Sequence, residues 1–171
     1  EPCRDVTVFC FSGDMGEEAA AAAGLNVRIV GSAVSQQSTA TDTIAAAKIL
    51  KEQGVDLILF AGGDGTARDV FKAVGPGVPV LGNPAGVKMH SGVYAVSPQA
   101  AGEILKGLIK GELIDLGLAE VRDIDEDEVR AGVIRSRYYG ELLVPREGRF
   151  LQHVKSSGRE VEAMVLQDIG A

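Results

Sequence analysis

The sequence predicts an α/β fold, in which a parallel sheet with helices on both faces precedes part of a β-rich domain. Short apolar runs alternate with helix-forming segments over the first two-thirds of the chain, as they do in βαβ units. The 22 glycines lie mostly between these runs, which indicates tight turns. Beyond Gly111 apolar and polar residues alternate, as in half-exposed antiparallel strands. We therefore predict an α/β domain over residues 1–111 and the start of a second, β-rich domain over residues 112–171.

The elements of the first domain follow from the apolar runs and from helix start signals. Apolar runs predict strands at 6–11, 27–30, 55–61, 78–81 and 93–96. The pattern Asp14-x-x-Glu17 predicts a capping box for an alanine-rich helix that ends at Gly24. Asp42 is predicted to cap a second helix. Two more helices are expected, over 66–74 and from Ser97-Pro98 to about Lys110.

The second domain is predicted from two alternating segments and one helical segment. Strands are expected over 119–124 and 137–144, and a helix is expected over 160–169. The helix has no following segment to pack against, so we expect this domain to be incomplete.

Charge, apolar runs and cysteine content limit which partners and which cell compartment we expect. The formal net charge is −7, which argues against nucleic acid and anionic membranes as partners. No apolar run approaches the roughly 20 residues that span a bilayer. Cys3 and Cys10 fit neither a disulfide framework nor a zinc site. We therefore expect a cytoplasmic protein.

The most informative stretch is Gly62-Gly63-Asp64-Gly65-Thr66, between the predicted strand 55–61 and the predicted helix 66–74. Unpaired N–H groups at a helix start, with no Cβ atoms in the way, let a phosphate approach closely. A carboxylate would repel bare phosphate, so Asp64 is expected to bind a metal or to accept a proton. A phosphotransfer site follows, although Asp64 could also serve only to fix the turn. Thr66 could contact phosphate, cap the helix, or do both.

Other phosphate-binding signatures are absent. The sequence contains no G-x-x-x-x-G-K-[ST], and no G-x-G-x-x-G follows a strand. Asn83 follows a predicted strand, at the end where open α/β sheets bind ligands, although Asn before Pro is also a common turn former. Lys88 lies in the same loop and is a candidate phosphate contact, as an alternative to a solvated lysine.

The 62–66 turn resembles the signature of the NAD kinase and diacylglycerol kinase superfamily. A second block, Pro84-Ala85-Gly86-Val87-Lys88-Met89-His90-Ser91, makes the chain similar to predicted prokaryotic ATP- or polyphosphate-dependent NAD kinases. Asp123-Ile124-Asp125 and the region 138–140 support the same resemblance.

The resemblance implies a Rossmann-like nucleotide-binding domain, a β-rich second domain and an active site between them. It further implies phosphoryl transfer to the 2′-hydroxyl of the adenosine ribose of NAD, with Mg²⁺ and with ATP or polyphosphate as donor. Asp64 matches the family aspartate that accepts the hydroxyl proton or holds the metal. Gly62, Gly63, Gly65 and Thr66 match the turn that lies against the nucleotide phosphates. Members of the family commonly assemble into dimers or tetramers, which leaves a homo-oligomer open here, and they normally begin with an extra strand before the region where this chain starts.

Two departures leave alternatives open. Lipid kinases of the superfamily continue the turn with Asn-Glu-Val, where this chain has Arg68-Asp69-Val70. Gly82-Asn83 does not reproduce the Gly-x-Asn spacing found in other NAD kinases. A kinase of a lipid or another hydroxyl compound is one alternative, and a nucleotide-binding sensor without turnover is another.

Overall fold

The computed structural model describes residues 6–86, 88–112 and 115–146, so the predicted helix 160–169 lies outside the described residues. The element order within these ranges is that of an α/β chain followed by a hairpin. The elements are β1 (Thr7–Phe11), α1 (Glu17–Ala22), β2 (Asn26–Gly31), α2 (Ala40–Glu52), β3 (Ile58–Gly62), α3 (Asp64–Val74), β4 (Val80–Pro84), α4 (Pro98–Ile109), β5 (Asp115–Ile124), α5 (Glu126–Arg130) and β6 (Ser136–Arg146).

Strand pairing confirms the α/β class. β1 pairs with β2 and β3 pairs with β4, both in parallel, while β5 and β6 form an antiparallel hairpin. Within the described residues these pairs make three two-stranded sheets, whereas the sequence predicts one parallel sheet. The register places Ala61 opposite Asn83 and Gly62 opposite Pro84. The carboxyl ends of β3 and β4 therefore lie side by side, where ligands bind in open α/β sheets.

The predicted strand at 93–96 is wrong as a strand, because the segment has isolated β-bridge positions at Tyr94, which pairs with Gly82, and at Ala95, but no extended ladder. Gly82 donates its N–H to Val93 and accepts one from Ala95. On the other side, Gly92 donates to the carbonyl of Glu120 in β5. Residues 92–95 are therefore bonded to both β4 and β5, and they join the parallel pair to the hairpin.

Asp42 is buried in the first turn of α2, but the predicted cap position is wrong. Thr39 is the N-cap, and its hydroxyl accepts a hydrogen bond from the N–H of Asp42 at 3.4 Å. The carboxylate of Asp42 accepts in return from the N–H of Thr39, at 2.9 Å, and from the N–H of Val34, at 3.0 Å. This reciprocal pair is a capping box that also holds the preceding loop.

The predicted role of Asp14 at the start of α1 is also wrong. The helix begins at Glu17 after Gly16, and no side chain caps it. A Cβ at Gly16 would lie 2.9 Å from the Cβ of Cys10, so a residue with a side chain does not fit at this N-cap without a shift of β1. Glu17 still reaches back, and its carboxylate accepts from the N–H of Gly13 at 2.7 Å.

One hydrophobic core joins the α/β part to the hairpin. Val80 and Leu81 of β4 share it with Val121 of β5 and with Leu142 and Val144 of β6. α3 packs against α2, β3 and β5. A helix that contacts both units fixes its N-terminus relative to both, and that N-terminus carries Asp64.

Two further expectations concern the thiols and the membrane. Cys10 is buried and free, and its burial, followed by the negative charge of Glu17, raises the pKa of the thiol. Cys3 lies outside the described residues. No helix among the described residues is long and apolar enough to cross a bilayer.

The Asp42 capping box predicts a pH-dependent contribution to stability. The backbone N–H groups of Val34 and then Thr39 lower the pKa of Asp42. A carboxyl group with a lowered folded-state pKa stabilises the fold above its unfolded pKa of about 3.9, and this stabilisation is lost as the pH falls through the folded-state pKa. Asp42→Asn should therefore lower the urea midpoint at pH 7, by an amount that shrinks below about pH 4. Asp14→Asn, at an exposed position, is the control and should leave the midpoint unchanged. A difference between Asp42→Asn and wild type that stays constant with pH would contradict the assignment.

Two glycines test the packing between β4 and the 92–95 segment. A Cβ at Gly82 would lie 2.4 Å from the Tyr94 ring, whereas a Cβ at Gly102 in α4 would meet no atom within 4 Å. Gly82→Ala should therefore destabilise the protein by about 1–3 kcal/mol, as overpacking does. Gly102→Ala should stabilise it by about 0.5–1 kcal/mol through helix propensity. Chemical denaturation measures both, and equal effects from the two variants would refute this packing.

Candidate functional site

The turn between β3 and α3 is built around Gly62. β3 ends at this residue, and the side chain of Thr66 folds back from the first turn of α3 so closely that a Cβ at Gly62 would lie 2.3 Å from the Thr66 Oγ1. Gly63 is the N-cap of α3, with no side-chain cap. A Cβ at Gly63 or at Gly65 would meet no atom within 4 Å. The helix start therefore presents backbone to open space.

Asp64 is the first residue of α3, and it is only 7% exposed. Its Oδ2 accepts from the backbone N–H of His90 at 2.7 Å, and its Oδ1 accepts from the N–H of Ser91 at 3.0 Å. The ring Nδ1 of His90 lies 3.1 Å from the same Oδ2 and donates to it, since a carboxylate only accepts. The carboxylate thus ties the start of α3 to a loop that is 26 residues further along the chain.

The loop 84–91 lies against the 62–66 turn. Ala85 donates its N–H to the carbonyl of Gly62 at 3.1 Å. A Cβ at Gly86 would lie 3.2 Å from the Met89 side chain and 4.0 Å from the Cα of Gly63. Met89 itself is fully buried. The two sequence blocks singled out from the sequence are therefore in contact.

A buried tyrosine supports the turn from beneath. The Tyr94 hydroxyl donates to the carbonyl of Gly63, and the ring packs edge-on against Phe60 with centroids 5.6 Å apart. Burial, and then the negative charge of Asp64, raises the pKa of Tyr94 far above its ordinary value. The hydroxyl consequently keeps its proton and serves as a donor.

The hairpin holds both the loop and the helix. Ser91 hydrogen-bonds the backbone of Arg122 in β5. Further along α3, the guanidinium of Arg68 pairs with Asp123 at 3.0 Å and stacks on the Tyr139 ring at 4.1 Å. Tyr139 lies at an irregularity in the pairing of β5 and β6, and bulges of this kind often stand next to sites. Arg68 therefore attaches α3 to the hairpin.

The structure brings most of the sequence-predicted residues together. Gly62, Gly63, Asp64, Gly65 and Thr66 form the turn, and Asn83 lies beside them near the end of β4. The Oδ1 of Asn83 is buried and has no hydrogen-bond partner in the part of the chain that the structure describes. Lys88 is exposed in the loop.

Three contacts were not predicted from the sequence. His90 was identified as part of the 84–91 block, but its bonds to Asp64 were not anticipated, nor were the pairing of Ser91 with β5 and of Tyr94 with Gly63. One signal did exist for the first two, since polar residues directly before the apolar run 93–96 need hydrogen-bond partners if the chain buries them.

The described part of the turn and loop offers few side chains that could coordinate a metal ion. Among residues 6–86, 88–112 and 115–146, no three His, Cys, Asp or Glu side chains cluster in a way that could hold an ion. A Mg²⁺ ion in phosphoryl transfer is commonly held by one or two carboxylates, by substrate phosphates and by water. Asp64 fits that kind of site as a single carboxylate.

Comparison with known proteins identifies the family. The family model described as the ATP-NAD kinase N-terminal domain matches residues 3–113, and this range includes the turn and the loop. No curated protein and no solved structure matches the chain significantly. The match covers more than half of the chain and confirms the resemblance seen in the 62–66 and 84–91 blocks. The chain therefore belongs to the ATP-NAD kinase family, through its N-terminal domain.

Proposed function

We propose that this protein is a phosphotransferase that phosphorylates the 2′-hydroxyl of the adenosine ribose of NAD, with ATP or polyphosphate as donor and with Mg²⁺. The observation that carries the proposal is Asp64, a buried carboxylate at the start of α3, beside the carboxyl ends of two parallel strands. The family match supports the class of reaction. The phosphoryl acceptor, the phosphoryl donor and the roles of the individual residues are what we propose beyond that class.

The hydrogen bonds of Asp64 leave one acceptor position for chemistry. A carboxylate offers about four lone-pair sites. Oδ2 accepts two hydrogen bonds from His90, and Oδ1 accepts one from Ser91. The second site of Oδ1 would accept the hydroxyl proton of the acceptor or hold the metal. Held rigidly in this way, a base typically contributes about 10²–10⁴ in rate.

The turn supplies the phosphate side of the proposed site. The first N–H groups of α3 have no intrahelical partners, and they carry the positive end of the helix dipole. Open space beside Gly63 and Gly65 supports close approach of a phosphate to these groups. When bound, Mg²⁺ would neutralise phosphate charge, and Asp64 is the candidate protein ligand if its carboxylate holds the metal instead of accepting the proton. Phosphoryl transfer depends mainly on such positioning and charge neutralisation.

Asn83 and Lys88 are proposed nucleotide contacts of different kinds. A buried acceptor without a partner costs roughly 1–3 kcal/mol, so the Asn83 Oδ1 is suited to a ligand donor such as a ribose hydroxyl or an adenine amino group. Lys88 is exposed and would meet a phosphate by charge alone.

One alternative has an observation in its favour. In the described part of the chain, the Asp64 carboxylate accepts its hydrogen bonds from His90 and Ser91 of the loop 84–91. This arrangement also suits an aspartate with a structural role, in a nucleotide-binding module without turnover. Saturable binding of NAD or ATP by the full-length protein, with no phosphorylated product, would favour this alternative. A panel of hydroxyl acceptors, lipids included, tests the remaining one, and labelling of lipid but not of NAD would overturn the proposed acceptor.

Asp64→Asn in the full-length protein is expected to reduce NADP formation by at least about 10²-fold, because the proton acceptor or metal ligand is lost. Asn also places an N–H₂ group against one loop amide, so we expect destabilisation of about 1–3 kcal/mol, measured by denaturation. Asp69→Asn is the matched control on the same helix, where Asp69 lies 4.0 Å from Lys72. It should retain turnover within a few-fold of wild type.

Turnover and stability must be read together in this experiment. Assays at temperatures well below the unfolding midpoint of Asp64→Asn distinguish a loss of catalytic activity from a loss of folded protein. Wild-type turnover by a folded Asp64→Asn protein would sink the proposed role of Asp64.

Asn83→Ala should separate binding from stability. Removing an oxygen that is unsatisfied in the free protein should leave the unfolding free energy within about 1 kcal/mol of wild type, or should raise it. Nucleotide affinity should fall by about 10-fold, the equivalent of one lost hydrogen bond of about 1.4 kcal/mol. Calorimetric titration with NAD and with ATP measures the affinity. Unchanged affinity for both nucleotides would remove Asn83 from the proposed site.

A further inference from the structure

Ser91 occupies an unusual position in the hydrogen-bond network. It is fully buried, and its hydroxyl makes two bonds with one residue of the hairpin. The Oγ donates to the carbonyl of Arg122 at 2.8 Å and accepts from the N–H of Arg122 at 2.9 Å. A single side chain thus satisfies both backbone groups of a strand residue, as a neighbouring strand would.

The backbone of the same residue holds the carboxylate of Asp64. The N–H of Ser91 donates to Oδ1, the oxygen that retains a free acceptor site in the proposed mechanism. Gly92, the next residue, donates to Glu120 and adds a second bond between this segment and β5. A chain of hydrogen bonds therefore runs from β5 through Ser91 to Asp64.

We propose that Ser91 is a positioning residue for phosphoryl transfer, which fixes the Asp64 carboxylate relative to the hairpin β5–β6. This inference rests on the proposed function of Asp64. The Ser91 hydroxyl bonds the hairpin, and it acts on Asp64 through the position of the Ser91 N–H. The hairpin thereby becomes part of the catalytic apparatus through its backbone at Arg122.

The rate of a catalysed step depends strongly on the position of the catalytic group. A catalytic group has to be held within about 0.5 Å of its productive position, and a misplacement of about 1 Å can cost about 10²-fold in rate. Without the Ser91 hydroxyl, two backbone groups of Arg122 lose their partner, and residues 90–91 lose their closest attachment to β5. The amides that hold Asp64 would then shift or fluctuate, and Oδ1 with them.

A purely structural role for Ser91 would give a different result. Loss of a hydrogen-bonded hydroxyl lowers stability whether or not that hydroxyl positions a catalytic group. Ser97 provides a matched control, since its hydroxyl caps α4 by accepting from Ala100 at 3.1 Å, and removal of such a cap also lowers stability. Comparing the two Ser→Ala variants separates positioning from stability.

The experiment compares Ser91→Ala, Ser91→Cys and Ser97→Ala with wild type in the full-length protein, well below their unfolding midpoints. Ser91→Ala should lower kcat for NADP formation by at least about 10-fold and change the KM for NAD by less than about 3-fold. The backbone amides of residues 90 and 91 should exchange hydrogen at least about 10-fold faster in this variant, because Asp64 no longer holds them as firmly. Ser91→Cys, which keeps the volume and a weak donor, should lie between Ser91→Ala and wild type.

Ser97→Ala should change neither kcat nor the exchange of these two amides. Equal kcat and equal amide exchange in Ser91→Ala and Ser97→Ala would overturn the inference, and Ser91→Cys provides the same comparison if Ser91→Ala does not fold. Absence of NADP formation by the wild type would overturn the proposed function instead, while hydrogen exchange would still decide whether Ser91 holds the loop.

Discussion

The arrangement of the site depends on the bonds between the Asp64 carboxylate and the backbone N–H groups of residues 90 and 91. These bonds join three parts of the chain: the start of α3, the loop 84–91 and, through Ser91, strand β5. Arg68 adds a second connection, because it attaches the same helix to the hairpin by an ion pair with Asp123 and by stacking on Tyr139. A buried carboxylate is stable only when donors surround it, so the loop and the helix constrain each other.

This dependence gives Asp64 a structural role alongside the chemical role that we propose for it. Backbone donors keep the carboxylate in place at 7% exposure, and in the proposed mechanism the remaining lone pair of Oδ1 accepts the hydroxyl proton or holds the metal. Preorganisation of this kind requires the loop to be complete before substrate binds. Tyr94 contributes from the core by holding the carbonyl of Gly63, and its close approach to Gly82 leaves no room for a side chain on β4 at that point.

Local patterns were sufficient to predict the turn and most elements, because strand, glycine turn and helix signals all lie within 20 residues of one another. Contacts between distant residues were not predictable in this way. Asp64 and Ser91 are 27 residues apart, and no local pattern announces their bond. The 93–96 run was predicted as a strand because it is apolar, but it forms isolated β-bridge positions, and Val93 and Ala95 both hydrogen-bond the one residue Gly82. Asp42 was predicted as the N-cap of α2, but it occupies the third helical position. Thr39 is also a residue type that caps helices, and it is the N-cap that forms the capping box with Asp42.

The most direct measurement of the central claim is a crystal structure of the full-length protein with bound NAD. We predict that the ribose 2′-hydroxyl either lies about 2.6–3.2 Å from the Asp64 Oδ1 or is linked to it through one bridging water or metal ion. We also predict that both loop amides remain bonded to the carboxylate. A nucleotide bound away from the 62–66 turn, or an Asp64 carboxylate shielded from it by the intact loop, would contradict the account.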